Sequence, residues 1–241
     1  LGFVQRDVFY DPSPRVNKNG QVIWLGTDGH DREIYLYDGS SVQNISNNDF
    51  NDEWGKFNDA GQIVWEANDG VDKEIFSYNG TFVTQLTNNN YDDRLSVMND
   101  KGMIAWVGGP VGDRKVYFYD GNSTKVLSNT SADKSYLQIN SSGQVVWGED
   151  KSNSESDIYF YNGATTVLLT NDINENFDYF LSENGKIFWE HQRVNLSYGE
   201  NDIYMYDGQK VVPLTNSANG READLSISPN GMAVWQESPS G

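Results

Sequence analysis

Gly61-Gln62-Ile63-Val64-Trp65, then Glu74-Ile75-Phe76-Ser77-Tyr78-Asn79-Gly80, then Gln85-Leu86-Thr87-Asn88-Asn89, is the stretch whose reading decides the fold. Each run is short, alternates apolar with polar and is bounded by Gly, Asn or Asp, which is the pattern of half-buried strands. Asn79-Gly80 supplies the positive φ that a tight hairpin demands. The cassette recurs along the chain. Its opening run appears as Gly20 to Trp24, Gly61 to Trp65, Gly102 to Trp106, Gly143 to Trp147, Gly185 to Trp189 and Gly231 to Trp235, with the glycines 41, 41, 41, 42 and 46 residues apart. The aromatic run returns as Ile34 to Gly39, Val116 to Gly121, Ile158 to Gly163 and Ile203 to Gly208. A third run follows each time, and a fourth leads into the next Gly through Val16-Asn17, Phe57-Asn58, Met98-Asn99, Ile139-Asn140, Leu181-Ser182 and Ile227-Ser228.

Four antiparallel strands per repeat of about 40 to 45 residues make a β-propeller blade. The strands are lettered a (ending in the Asn or Ser column), b (ending in Trp), c (the Tyr pair) and d. The expected fold is all-β, with residues 1–241 forming a single β-propeller domain of six blades, each a four-stranded antiparallel sheet. The sixth repeat supplies only strands a and b, so the last blade is expected to be composite, short of a strand and completed from the amino terminus. Either Leu1 to Gln5 as a d-like strand or Arg6 to Asp11 as a c-like strand would serve. Such closure removes exposed sheet edges and predicts a monomer. Leu1 in place of an initiator Met is what a processed or excised piece of a longer chain would show.

The succession Gly-Gln-Val-Val-Trp (143–147), an acidic Gly-containing loop, Glu-Ile-Tyr-Leu-Tyr-Asp-Gly (33–39) and Gln-Leu-Thr-Asn-Asn (85–89) resembles the TolB-type, WD-repeat-like propeller repeat. Asp11-Pro12-Ser13-Pro14-Arg15-Val16-Asn17 and Ser226-Ile227-Ser228-Pro229-Asn230-Gly231 match it closely. The resemblance covers nearly the whole chain and implies the fold. It leaves function open, because propellers host enzymes, lectins and scaffolds alike. TolB itself carries a separate amino-terminal domain without a counterpart in these residues, so its partnerships are not carried over.

Charge narrows the classes. With 35 Asp plus Glu against 17 Lys plus Arg, the net charge of −18 argues against nucleic acid and anionic membranes as partners. No apolar run approaches the roughly 20 residues of a membrane-spanning helix. Zero Cys excludes a disulfide framework, a thiolate metal site and a cysteine nucleophile, and two His, His30 and His191, exclude a poly-His site. The loops between b and c (25–33, 66–74, 107–115, 148–157, 190–202) hold 15 acidic and 6 basic residues, and those between d and a (47–53, 88–94, 129–136, 171–179, 216–224) hold 11 and 3, a net of −17. The expectation is one acidic face, built either to receive a cation or basic partner or simply to keep the protein dispersed.

The repeated Trp column is expected to fill the wedge between neighbouring sheets, so recognition is sought where repeats differ. Trp54 stands outside that column, aligned with Ser13, Leu95, Tyr136, Asp178 and Asp224, where an innermost strand would begin at the mouth of a central channel. With Arg15 and Lys56 two positions on, Trp54 and Tyr136 form a candidate small-ligand or glycan contact, a packed loop anchor being the alternative. The 190–202 insertion adds His191, Arg193 and Tyr198. Asp28-Gly29-x-Asp31-x-Glu33 and Asp69-Gly70-x-Asp72-x-Glu74 place oxygen ligands at alternate positions and make Ca2+ the cation to consider. No nucleophile elbow, phosphate loop or zincin motif is present. The expected function is a non-catalytic module binding a protein or glycan through the acidic, variable-loop face. The alternative is a polysaccharide-active enzyme, a glycoside hydrolase or lyase. A cysteine-free acidic chain suits a secreted or periplasmic bacterial protein.

Overall fold

The computed structural model describes residues 14–151, 156–192, 201–216 and 220–239, so the expected amino-terminal strand, Arg193 and Tyr198 lie outside the described residues. All regular structure among them is strand. The first sheet is β1 (Arg15–Val16), β2 (Val22–Thr27), β3 (Arg32–Tyr37) and β4 (Val42–Asn44); the second is β5 (Asn51–Phe57), β6 (Ile63–Asn68), β7 (Lys73–Tyr78) and β8 (Val83–Gln85). The third is β9 (Arg94–Met98), β10 (Ile104–Gly108), β11 (Lys115–Tyr119) and β12 (Thr124–Val126). The fourth is β13 (Asp133–Ile139), β14 (Val145–Asp150), β15 (Ser156–Tyr161) and β16 (Thr166–Leu168), and the fifth is β17 (Glu175–Leu181), β18 (Ile187–Gln192), β19 (Asn201–Tyr206) and β20 (Val211–Pro213). The sixth holds β21 (Gly220–Ile227) and β22 (Ala233–Pro239). Within each sheet successive strands pair antiparallel in chain order, a to b to c to d, as the repeat predicts. The described residues fall into two compact units, 14–131 with the first three sheets and 132–239 with the rest.

Each four-stranded sheet is organised around its Trp. Trp65, Trp106, Trp147 and Trp189 are at most 1% exposed, and each stacks on the c-strand ring opposite it, as in Trp106 on Tyr117 at 5.6 Å and Trp147 on Tyr159 at 5.8 Å. Three of them fill the wedges between sheets: Trp65 packs with Ile23, Ile34 and Leu36 of the first sheet, Trp106 with Val64 and Ile75 of the second, and Trp189 with Ile158 and Phe160 of the fourth. Burying each such ring contributes on the order of 2–3 kcal/mol. An Asn column adds polar stitches. Asn17 donates to the Asn58 carbonyl (3.0 Å), Asn58 to that of Asn99 (3.1 Å) and Asn140 to that of Ser182 (3.1 Å), each Asn Oδ1 also accepting from its own turn. In the fifth sheet, where Ser182 replaces Asn, Asn184 reaches the Asn230 carbonyl instead (2.9 Å).

The expected acidic face needs correction. Several segments read as loops are strand: β3 begins at Arg32, β7 at Lys73 and β15 at Ser156. Of the carboxylates assigned to those loops, eleven are buried: Glu33, Asp52, Glu66, Asp72, Glu74, Asp93, Glu149, Asp157, Glu190, Asp202 and Glu222. Much of the acidic surplus is thus internal, where unpaired charge is costly and the carboxyl must find donors or hold its proton.

Candidate functional site

Strand a carries a β-bulge in five sheets, always in the same place. Two of its residues oppose one Trp of strand b: 54 and 55 face Trp65, 95 and 96 face Trp106, 136 and 137 face Trp147, 178 and 179 face Trp189, and 224 and 225 face Trp235. The first bulge residue turns left-handed, with φ of 57° at Leu95, 49° at Tyr136, 47° at Asp178 and 55° at Asp224. Such φ costs a non-glycine residue about 1–2 kcal/mol, so the surrounding packing over-determines it. The bulge aims this residue outward and turns the next one in: Leu95, Tyr136, Asp178 and Asp224 are exposed, while Ser96, Leu137, Tyr179 and Leu225 are buried. The Trp54 column is therefore a bulge column.

Buried carboxylates serve this geometry. An aspartate at Trp−13 accepts from the indole in two sheets: Trp65 Nε1 donates to Asp52 Oδ1 (2.7 Å) and Trp106 Nε1 to Asp93 Oδ1 (3.0 Å). In the fifth sheet the acceptor is Asn176 (3.1 Å). In the fourth, Lys134 stands at that position, and Trp147 donates instead to Glu149 (3.0 Å), whose carboxylate pairs with Lys134 at 3.4 Å. Burial pushes the Asp52 and Asp93 carboxyls up to about 7. Glu66 and Glu190, one residue beyond their Trp, accept from the backbone N–H of Ser96 and Leu225, each at 3.4 Å, so each caps the bulge of the following sheet. Burial pushes Glu66 up to about 7 and raises Glu190. The indole-facing position was legible only as a constant 13-residue offset before each Trp, occupied by Asp52, Asp93, Lys134, Asn176 and Glu222, and Glu66 and Glu190 only as the acid directly after a Trp.

The side chain of Trp54 lies outside the described residues, and the other expected ligand residues stand on different strands. Tyr136, 60% exposed, stands on the bulge of β13. Arg15 and Lys56 are half-buried and share one register position, opposite Ile23 and Val64 on successive sheets. His191 is not a loop residue: it lies in β18, buried, its Nδ1 2.9 Å from Asn176 Oδ1 and its ring 4.6 Å from Tyr204. Because Asn176 Oδ1 also accepts from Trp189, His191 Nδ1 is the donor, and the side chain is committed to packing. The two expected cation clusters do assemble. One ligand oxygen from each of Asp28, Asp31 and Glu33 lies within 4.8 Å of the others, and the same holds for Asp69, Asp72 and Glu74.

No protein-family model and no curated protein matches the chain. Solved structures do. TolB from Acinetobacter baumannii aligns at 17% identity and a TM-score of 0.51, covering 83% of this chain and 52% of its own, so the chain spans about half of that structure. Oligogalacturonate lyase from Vibrio parahaemolyticus aligns at 8% identity and a TM-score of 0.60 over 90% of this chain and 67% of its own. The β-propeller domain of the Trilobed protease from Pyrococcus furiosus, described as having an open velcro topology, aligns at 10% identity and a TM-score of 0.56 over 94% and 82%. At such identities the likeness speaks to fold alone, and it agrees with the repeat and the sheets: the chain has the β-propeller fold of TolB-type repeat proteins.

Proposed function

We propose that the chain is a non-catalytic binding module that presents the variable ends of its sheets, the loops between b and c and between d and a together with the bulge residues, to a protein or glycan ligand. The observation that carries this reading is the bulge column. The same backbone device recurs in successive sheets and turns one side chain outward each time, yet that side chain is Leu95, Tyr136, Asp178 or Asp224. A fixed frame with varied exposed chemistry is how a recognition surface is built on a rigid scaffold. Three of the buried acids that could suggest glycoside chemistry, Asp52, Asp93 and Glu66, are engaged by indole and backbone donors of the architecture. Location outside the cytoplasm, secreted or periplasmic, suits the cysteine-free composition. The test is a glycan array and a peptide panel followed by calorimetry on hits. Saturable binding that Tyr136→Ala weakens about tenfold or more, with the oligosaccharide left intact, supports the module. Depletion of the oligosaccharide, read by chromatography, replaces it with the enzymatic alternative.

A further inference from the structure

We propose that Asp69, Asp72 and Glu74 form a calcium site that locks the b–c turn of the second sheet onto its d–a loop. The cluster is built on a turn closed by Asp69 N donating to the Asp72 carbonyl (3.1 Å), with Asp69 Oδ1 accepting from Val71 N (2.9 Å) and Asp72 N (3.3 Å). Glu74 Oε1 accepts from Asn89 N at 2.6 Å. The remaining oxygens carry the inference. Asp72 is only 7% exposed, yet among the described residues both its carboxylate oxygens are buried without a hydrogen-bond partner, as is Glu74 Oε2. Leaving a buried charged acceptor unmatched costs several kcal/mol, a cost that a bound cation would offset at all three atoms together. Burial raises the Asp72 carboxyl, and Glu74, Asp69 and Asp92 raise it further.

The repeat itself provides an independent control. Aligned on strand c, Glu74 corresponds to Lys115 and Asp72 to Asp113. There the Lys115 ammonium lies 2.6 Å from Asp113 and 2.8 Å from the carbonyl of Thr130, the counterpart of Asn89. In the fourth sheet Asp157, the Glu74 counterpart, pairs with Lys151 at 2.6 Å. Two sheets thus carry their own cation where the second carries only carboxylates, because Lys73 is turned away to Glu53 (2.9 Å). The first sheet repeats the acidic pattern with Asp28, Asp31 and Glu33, but both Glu33 oxygens already have donors in Asn48 N and Ser46 Oγ, so a weaker site is expected there. The donor set is all carboxylate, with neither nitrogen nor sulfur, which selects a hard cation. Ligand oxygens that all lie within 4.8 Å of one another fit on a sphere of about 2.4 Å radius, that of calcium.

The test titrates CaCl2 into chelator-stripped protein by calorimetry, with parallel melts in EDTA, in about 2 mM CaCl2 and in NaCl of matched ionic strength. Saturable calcium binding and a rise in Tm of about 2–4 °C beyond the NaCl control are expected. Asp72→Asn should weaken this binding at least tenfold while melting in EDTA at or above wild type, since it removes an uncompensated buried charge. A merely structural aspartate would instead lose stability in both conditions. Glu74→Lys, importing the ammonium of the third sheet, should likewise melt higher in EDTA and gain nothing from calcium at this site. Absence of a calcium response, or one unchanged in both variants, overturns the proposal.

Discussion

Replacing Lys134 by Asp and Glu149 by Ala converts the fourth sheet to the pattern of the second, and the two changes should rescue each other. Lys134 and Glu149 are direct cross-strand partners, as Asp52 and Ala67 are in the second sheet. Their side chains are 0% and 3% exposed, with Nζ 3.4 Å from the carboxylate. Glu149→Ala alone leaves the buried Lys134 ammonium with the Ala132 carbonyl but without its carboxylate, and removes the acceptor of Trp147 Nε1, at a cost of about 3–5 kcal/mol. Lys134→Asp alone sets two carboxylates in one buried position at similar or greater cost. In the double variant the carboxylate introduced at position 134 can accept the Trp147 N–H as Asp52 accepts that of Trp65, and only repacking cost should remain, about 1–2 kcal/mol. The predicted coupling energy is therefore at least about 3 kcal/mol, against a sum of singles comparable with the whole stability of a domain. Urea denaturation followed by tryptophan fluorescence and near-ultraviolet circular dichroism measures it. Should either single variant leave too little folded protein to melt, a cooperative transition regained in the double demonstrates the same rescue. Additive costs, with coupling below about 0.5 kcal/mol, or a double that never folds, would refute the reading that these positions are interchangeable solutions to one buried donor.

Glu66 tests the bulge cap by pH. Burial raises its carboxyl from 4.5 to about 7, so the folded protein holds a proton that the unfolded chain releases in that interval, and stability falls as pH rises from about 4.5 through 7. Glu66→Gln keeps an acceptor for Ser96 N and should remove up to about 3 kcal/mol of that slope; parallel urea profiles for variant and wild type between pH 4.5 and 8 would show the acid is not buried as described. Gly108→Ala should destabilise by about 2–4 kcal/mol, because its Cβ would fall 1.7 Å from Asp93 Oδ1, and a thermal melt unchanged within a degree would contradict the packing. Asn58→Ala deletes donors to Gln62 Oε1 and the Asn99 carbonyl together with an acceptor for Ala60 N and Gln62 N, and should cost about 2–3 kcal/mol in a denaturant melt.

How far the sequence reaches follows from which constraints repeat and which compensate. A 41-residue period with Trp, Asn-Gly and Tyr at fixed offsets is written in copy after copy, so strand order, the wedge-filling indoles and the sheet boundaries were legible from one chain. The bulge was legible as a column, through Leu95, Tyr136, Asp178 and Asp224, but not as a backbone event, since nothing in Leu or Tyr announces a positive φ. The buried acids were misread as surface charge for a definite reason. Composition counts Asp52 and Glu66 as loop carboxylates, while the fold commits each to a donor that the architecture itself creates, an indole N–H in one case and an amide freed by a bulge in the other. The Lys134 and Glu149 exchange shows why single positions mislead: the Trp−13 column changes from acid to base in one copy, yet the donor it serves is satisfied from across the strand pair. By the same reasoning Asp72 stands out. The fourth sheet pairs its buried carboxylates with its own ammonium groups, Glu149 with Lys134 and Asp157 with Lys151, so a buried carboxylate without a hydrogen-bond partner among the described residues points to a partner that arrives from solution.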